Sequence, residues 1–215
     1  MFISLQVIDT VRVPPSSQTR YLESKLLEIL TASFCGRVLA NCGICLLIER
    51  ITNLSEQRIV HNDCNTYVTV CFSIIAFRPY IGEIFTAFLV SQHPMHGLAL
   101  STGFCDTIIV PPSNLPEYLM WNNERQGFTN LPDFESELDF ELGGEIKIKV
   151  VDVIFRTNED TTSMGLGNAL EGEELSQDLI GSWGAIVNSK SKFIVVGSCT
   201  GPGLGDVRWW REDAN

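Results

Sequence analysis

Two patterns of hydrophobic residues, changing over near residue 80, predict an α+β domain followed by an all-β barrel in this 215-residue sequence. Before the change, β-forming runs flank one segment of helical period. After it, short strands alternate with Gly, Pro and Asn. Charge changes at the same place: residues 1–80 carry seven Lys/Arg against six Asp/Glu, and residues 81–215 carry eight against twenty. The two domains are therefore read as 1–80 and 81–215.

In the first domain, Ile3, Leu5, Val7, Val11 and Val13 share one parity over residues 2–13, which predicts a strand. Pro14-Pro15 ends it by removing two backbone donors. Ser16 and Ser17 are placed to cap a helix. Tyr21, Leu22, Lys25, Leu26, Ile29 and Leu30 then recur at helical spacing as far as Gly36. The aliphatic run 37–51 and the β-rich run 66–77 each predict a strand, with 53–65 as a loop. The domain is one long helix on a small antiparallel sheet.

In the second domain, strands are predicted over 82–90, 98–103, 107–110, 145–155 and 193–198. Five short strands at this density predict the five-stranded barrel of an OB-fold. Residues 113–142 interrupt it with a helix or turn plus a surface insertion. Residues 157–189 hold six acidic residues, no Lys or Arg, and many Gly, Ser, Thr and Asn. They read as an acidic, mobile insertion between the last two strands.

Composition excludes several classes. No apolar stretch approaches the ~18 residues of a membrane helix, and the start lacks the pattern of a secretory signal. Seven cysteines without framework spacing read as reduced thiols of an intracellular protein. A net charge of −11 argues against a protein that grips nucleic acid mainly through phosphate. Any such contact is local or shared with a partner.

Three motifs suggest chemistry. Cys42-Gly-Ile-Cys45 has the spacing of half a zinc site or a redox dithiol, but no second pair follows, and residues three apart in a strand face opposite ways. His93-Pro-Met-His96 reads as a hairpin tip. Gly201-Pro-Gly-Leu-Gly205 lacks the spacing and following helix of a dinucleotide site and reads as a tight turn before a terminal strand. No nucleophile elbow, metalloprotease motif or phosphate-cradling loop occurs. The expectation is a chain without catalytic residues, cofactor or metal.

Binding has more support. An OB-fold strand face stacks bases on aromatics and meets the backbone with cations, and the candidates are Phe85, Phe88, Phe104, Lys147, Lys149 and Arg208. Each phenylalanine is either a stacking surface or a core residue. Lys147 and Lys149 share a parity and face solvent together. Trp209-Trp210 is either a docking anchor or a tail folded back on the barrel.

Several segments together resemble one family. Met1-Phe2 and Asp9-Thr10-Val11-Arg12-Val13-Pro14-Pro15 resemble the start of the larger stalk subunit of eukaryotic RNA polymerase III. Asn41-Cys42-Gly43-Ile44-Cys45 resembles a strand of that family. The stretch from Phe77-Arg78-Pro79-Tyr80 to Ile84 resembles its interdomain crossing, and Gly103-Phe104-Cys105-Asp106 through Pro111-Pro112 resembles a barrel segment. Gly197-Ser198 and Gly203-Leu204-Gly205 through Trp209-Trp210 resemble its ending and favour the polymerase III form over the polymerase II paralogue. Two positions depart from the pattern. His61-Asn62-Asp63-Cys64 stands where a Gly-Asp-Gly turn is common, and Ala99 stands where related barrels place an aromatic or His.

The resemblance implies a nuclear, non-catalytic subunit. It implies a stalk heterodimer with a small helical partner, docking of the first domain on the polymerase III core, and a barrel that contacts nascent single-stranded RNA and supports initiation with its factors. Docking residues implied or suggested are Asp9, Arg12, Pro14, Pro15, Asp63, Trp209 and Trp210. The alternatives are a polymerase II stalk subunit, a free-standing OB-fold RNA-binding protein, and a redox or zinc protein using Cys42 and Cys45.

Overall fold

The computed structural model describes residues 1–15, 22–61, 63–130, 138–155 and 192–210. The chain divides into two compact units, Met1–Arg78 and Pro79–Asn215. Ser16, Ser17 and Tyr21, and the acidic insertion 157–189, lie outside the described residues.

The first unit runs β1 (Phe2–Val13), α1 (Leu22–Phe34), β2 (Val38–Leu39), β3 (Gly43–Leu54), β4 (Arg58–Ile59) and β5 (Thr66–Phe77). All pairings are antiparallel, in the order β1-β5-β3-β2, with β4 added to β5. β5 is central: β1 pairs along its whole length, from Phe2 opposite Phe77 to Val13 opposite Thr66. The odd-numbered apolar residues of β1 and the even-numbered ones of β5 then share a face. On it, Leu26 and Leu30, four apart and so on one side of α1, are sealed against Val11, Val13, Val68, Val70, Phe72 and Ile74. Phe34 meets Phe72 edge-on at 5.2 Å.

The run 37–51 is not one strand. Asn41 at φ 57° and Gly43 at φ 105° fold it into a β2–β3 hairpin. Gly43 is required there, because a Cβ would stand 2.1 Å from the Phe77 carbonyl oxygen. Aliphatic composition alone does not encode that turn. The supposed loop 53–65 likewise contains the end of β3 and all of β4. β3 slips register against β5 at three places between Cys45 and Asn53, and such bulges increase local twist.

The second unit contains β6 (Ile84–His93), β7 (Gly97–Ser101), β8 (Ile108–Val110), β9 (Leu119–Asn122), β10 (Gly127–Asn130), β11 (Glu145–Phe155), β12 (Phe193–Ser198) and β13 (Gly205–Asp206). The order β12-β8-β7-β6-β11, with β11 pairing back to β12, closes a five-stranded barrel. This is the OB-fold the strand spacing predicts. β11 and β12 occupy the predicted spans, while β6 starts and ends later than expected. Of the helix or turn expected in the interruption 113–142, the described residues form a short 3₁₀ turn (Pro112–Asn114), followed by a two-stranded β9–β10 hairpin. Gln92 of β6 fastens that hairpin: its Oε1 accepts from the Phe128 N–H at 2.9 Å, and its Nε2 donates to the Phe140 carbonyl at 2.8 Å.

Leu26→Ala is expected to lower the stability of the first unit by about 2–5 kcal/mol, the usual cost of a cavity in a sealed core. Urea unfolding measures it, and a loss below ~1 kcal/mol would mean that the helix is not seated on the sheet as described.

Candidate interaction surfaces

Strand alternation sorts the barrel candidates. In β6, Phe85, Ala87 and Leu89 face the core, whereas Ile84, Thr86, Phe88 and Val90 face solvent. In β11, Ile146, Ile148 and Val150 face inward, and Glu145, Lys147, Lys149 and Val151 face outward. Glu145 is registered opposite Phe88, Lys147 opposite Thr86, and Lys149 opposite Ile84. Phe88, 48% exposed, thus lies across from Glu145 and diagonal to Lys147, with Ile84 four residues along its strand. An aromatic ring with one lysine diagonal to it and a second farther along the neighbouring strand suits an unpaired base and the phosphates that follow it.

Phe85 is 8% exposed and leaves the candidate set. One residue out of phase with Phe88 in parity, it points into the barrel. Phe104 is part-exposed on the loop after Ser101, and Ser101 is registered opposite Phe88. Ala99 is buried on β7 and presents no stacking surface. Ile84, Val90 and Val151 belong to the exposed face although sequence reasoning passed over them. Their parity with Phe88 and Lys147 was the available signal.

The C-terminal candidates have a different role. Arg208 is committed to carboxylates: its guanidinium donates to Asp206 at 3.0 and 2.9 Å and to Glu141 at 2.8 Å, and lies 3.5 Å from Asp139. Asp206 is completely buried. The guanidinium is occupied by this cluster, and Arg208 also leaves the RNA-binding set. Trp209 is folded back on the barrel. Its ring packs on Phe140 at 4.8 Å, its indole N–H donates to the Asp139 carbonyl at 3.2 Å, and a Cβ on Gly205 would stand 2.4 Å from it. Trp210 donates to the Leu204 carbonyl at 3.0 Å and keeps half its surface exposed.

The first-unit candidates divide between the two faces of the sheet. Asp9 has the parity of the core residues but is exposed, its carboxylate accepting from the Thr10 N–H at 2.8 Å. Arg12 is on the opposite face, registered with Tyr67 and 3.6 Å from Asp63. Pro14 and Pro15 follow β1 directly, part-buried and exposed. Asp63 organises the turn before β5. Its carboxylate accepts from the Tyr67 hydroxyl at 2.7 Å, from the Asn65 N–H at 3.0 Å and from the Asn65 side-chain amide. Those bonds, with Arg12 nearby, lower its pKa from 3.8 to about 2. On the helix-free face of the sheet, Phe2, Ile8 and Leu47 are exposed, a surface the sequence reading did not name.

The two motifs that suggested metal chemistry do not assemble a site. Cys42 is half-buried at the β2–β3 turn and Cys45 is buried in β3. The His93 and His96 rings stack at 4.4 Å and 25°, and His93 Nδ1 accepts from the Met95 N–H at 3.2 Å. Among the described residues no group of three or more His, Cys, Asp or Glu is gathered to hold a metal ion.

Comparison with known proteins matches both units separately. The family described as RNA polymerase III subunit Rpc25 matches residues 83–210, well over half of the chain. The chain belongs to this family. The SHS2 domain found in the N terminus of Rpb7p and Rpc25p matches residues 8–64. DNA-directed RNA polymerase III subunit RPC8 of Bos taurus is 27% identical over 215 residues, covering 98% of both chains. Its counterpart from Saccharomyces cerevisiae is 27% identical over 98% of this chain and all of that one. That of Schizosaccharomyces pombe is 23% identical over the same extent. Membership of the Rpc25 family accounts for an SHS2 unit followed by an OB-fold. It does not favour the polymerase II or free-standing alternatives.

Removing Arg208 from this Rpc25-family barrel, as in Arg208→Met, leaves the Asp206 carboxylate buried without its cation. The expected loss is about 1–3 kcal/mol, below the ~3–5 kcal/mol of a fully buried pair because the arginine is part-exposed. Thermal unfolding checks it, and an unchanged transition would show that the Arg208 cluster does not stabilise the barrel. Asp63 sets a pH dependence. Its folded pKa of about 2 lies below the ordinary 3.8, so its contribution is full above that ordinary value and is lost as pH falls toward about 2. Asp63→Asn should lower the melting temperature at neutral pH, and the difference from the parent should shrink between pH 4 and pH 2, about the window those two values define.

Proposed function

We propose that this chain is the larger stalk subunit of a nuclear RNA polymerase III. It carries no catalysis of its own, pairs with a small helical subunit, and supports initiation alongside the enzyme's factors. The observation that carries this reading is the ordered match of an SHS2 unit at 8–64 and the Rpc25 family at 83–210, together with polymerase III relatives over 98% of the chain.

The first unit docks on the polymerase core. Its sheet supports this reading: the helix covers one face, while the other exposes Phe2, Ile8 and Leu47 beside Arg12. β1 is an edge, since no strand besides β5 pairs with it among the described residues, and an edge can accept a partner's strand. Asp9, Pro14 and Pro15 lie on or beside that edge. Asp63 acts indirectly, by fixing the turn next to Arg12. Trp210, half-exposed, remains a docking anchor of the barrel.

The barrel meets nascent single-stranded RNA through Phe88, Lys147 and Lys149, with Phe104 at the same end of the sheet. The contact is weak, because two lysines act against the acidic balance of residues 81–215.

Gentle purification of a tagged chain tests the assignment. The largest polymerase III subunits and a small helical protein are expected to copurify, and recovery of polymerase II subunits, or of neither, would overturn it. For the RNA face, Lys147→Glu/Lys149→Glu in the assembled heterodimer should reduce crosslinking to single-stranded RNA. It should also flatten the slope of log affinity against log salt by about 1.4, the value for two lost single-strand phosphate contacts. An unchanged slope would move the RNA contact elsewhere.

A further inference from the structure

The thiol nearest in role to Cys45 is not the Cys42 of its own motif. Cys35, the residue after α1, packs on the same core cluster as Cys45. The chain beyond it is laced to Cys45 from both sides: the Gly36 N–H donates to the Cys45 carbonyl at 2.8 Å, and the Cys45 N–H donates to the Arg37 carbonyl at 3.0 Å. Gly36 makes this possible by turning out of the helix at φ 74°, the left-handed exit that glycine favours. Between the clamped backbones, the Cys35 and Cys45 thiols come close enough for Cys35 to help raise the Cys45 pKa. Cys42 sits within the Asn41–Gly43 turn itself.

We propose that Cys35 and Cys45 form a reversible disulfide that staples the end of α1 to the start of β3, made by exchange with a small-molecule disulfide such as oxidised glutathione. Cys35, half-buried, is the entry point. Its thiolate attacks one sulfur of the small disulfide, forms a mixed disulfide and releases one small thiolate. That thiolate takes the Cys45 proton, and the Cys45 thiolate attacks the Cys35 sulfur and expels the second small thiolate. Two protein thiols are oxidised to one disulfide while one small disulfide is reduced to two thiols.

The main-chain bonds already hold Cys45 beside the segment that follows Cys35, and the disulfide brings the two sulfurs to about 2.05 Å. Burial, reinforced by Cys35, raises the Cys45 thiol to about 11, so the second step is slow and the pair answers sustained rather than passing oxidation.

The test incubates the full chain in glutathione buffers of increasing oxidised fraction, then quenches with acid, alkylates and digests with trypsin without reduction. Cleavage after Arg37 and Arg50 puts Cys35 in one peptide and Cys42 with Cys45 in the next. The expected product is that pair of peptides linked. It should persist in Cys42→Ser, disappear in Cys35→Ser and Cys45→Ser, and be reversed by dithiothreitol. A Cys42–Cys45 loop within one peptide, loss of the link in Cys42→Ser, or full alkylation of Cys35 and Cys45 from oxidising buffer would each overturn the proposal. So would Cys35 capped by glutathione with Cys45 still alkylatable.

Discussion

Barrel closure by β11 is the constraint on which the second unit depends. Its first half, Glu145–Lys149, pairs with β6, and after a register shift between Val150 and Asp152 its second half continues along β12. One strand therefore carries the wall from one side of the barrel to the other. The closed wall forces a strict division of side chains: the residue adjacent to a lysine on β11 must be core. Lys147 and Lys149 stand out of the barrel because Ile146, Ile148 and Val150 are held inside it. β13 completes the arrangement by pairing Asp206 and Gly205 with Ile146 and Lys147. The Arg208 cluster and the Trp209 ring then fasten the chain's return to the strand that bears the candidate RNA contacts.

Much of this was legible in the sequence because it depends on periodicity. The alternation in 145–155 located β11 and both lysines, and the spacing of Leu22, Leu26 and Leu30 located the helix and its buried side. What was not legible depends on the partner strand. Phe85 and Phe88 are both aromatic residues of one strand, and only parity relative to a neighbour of known orientation separates core from surface. Arg208 looked like a free cation because Glu141 and Asp139, more than sixty residues away, gave no local sign of converging on it. The β2–β3 hairpin was hidden by uniform aliphatic composition, since Asn41 and Gly43 act through backbone angle rather than hydrophobicity. The β9–β10 hairpin has strands of four residues, too short for alternation to register against the turn residues around them.

The acidic balance of the second half acquires a local meaning from these placements. Three of its carboxylates, Asp139, Glu141 and Asp206, are spent on one arginine. They bring negative charge to the side of the barrel where β13 meets β11 and remove a cation from the pool able to meet phosphate. Lys147 and Lys149 are then the exposed cations of the β6–β11 face, with Glu145 tempering them across from Phe88. A polyanion held here gains few counterion-release contacts, and stacking on Phe88 has to supply a larger share of any affinity. Such a face favours brief engagement of a strand delivered to it over capture of RNA from solution.

The two units solve the problem of sheet edges in opposite ways, and this shapes what each can do. The barrel closes on itself, so the backbone groups of its strands are committed and its strand face addresses a ligand through side chains. Among the described residues the first sheet stays open at β1, a twelve-residue edge beside exposed Phe2 and Ile8. A long open edge with apolar neighbours is a hazard for an isolated protein and an asset for one that lives in an assembly. An open edge of this kind suits a partner's strand, whereas the barrel is complete without one. In the proposed function that asymmetry orders the two activities: assembly through the first unit supplies attachment, and the barrel's thin cationic face meets RNA once attachment has set the local concentration.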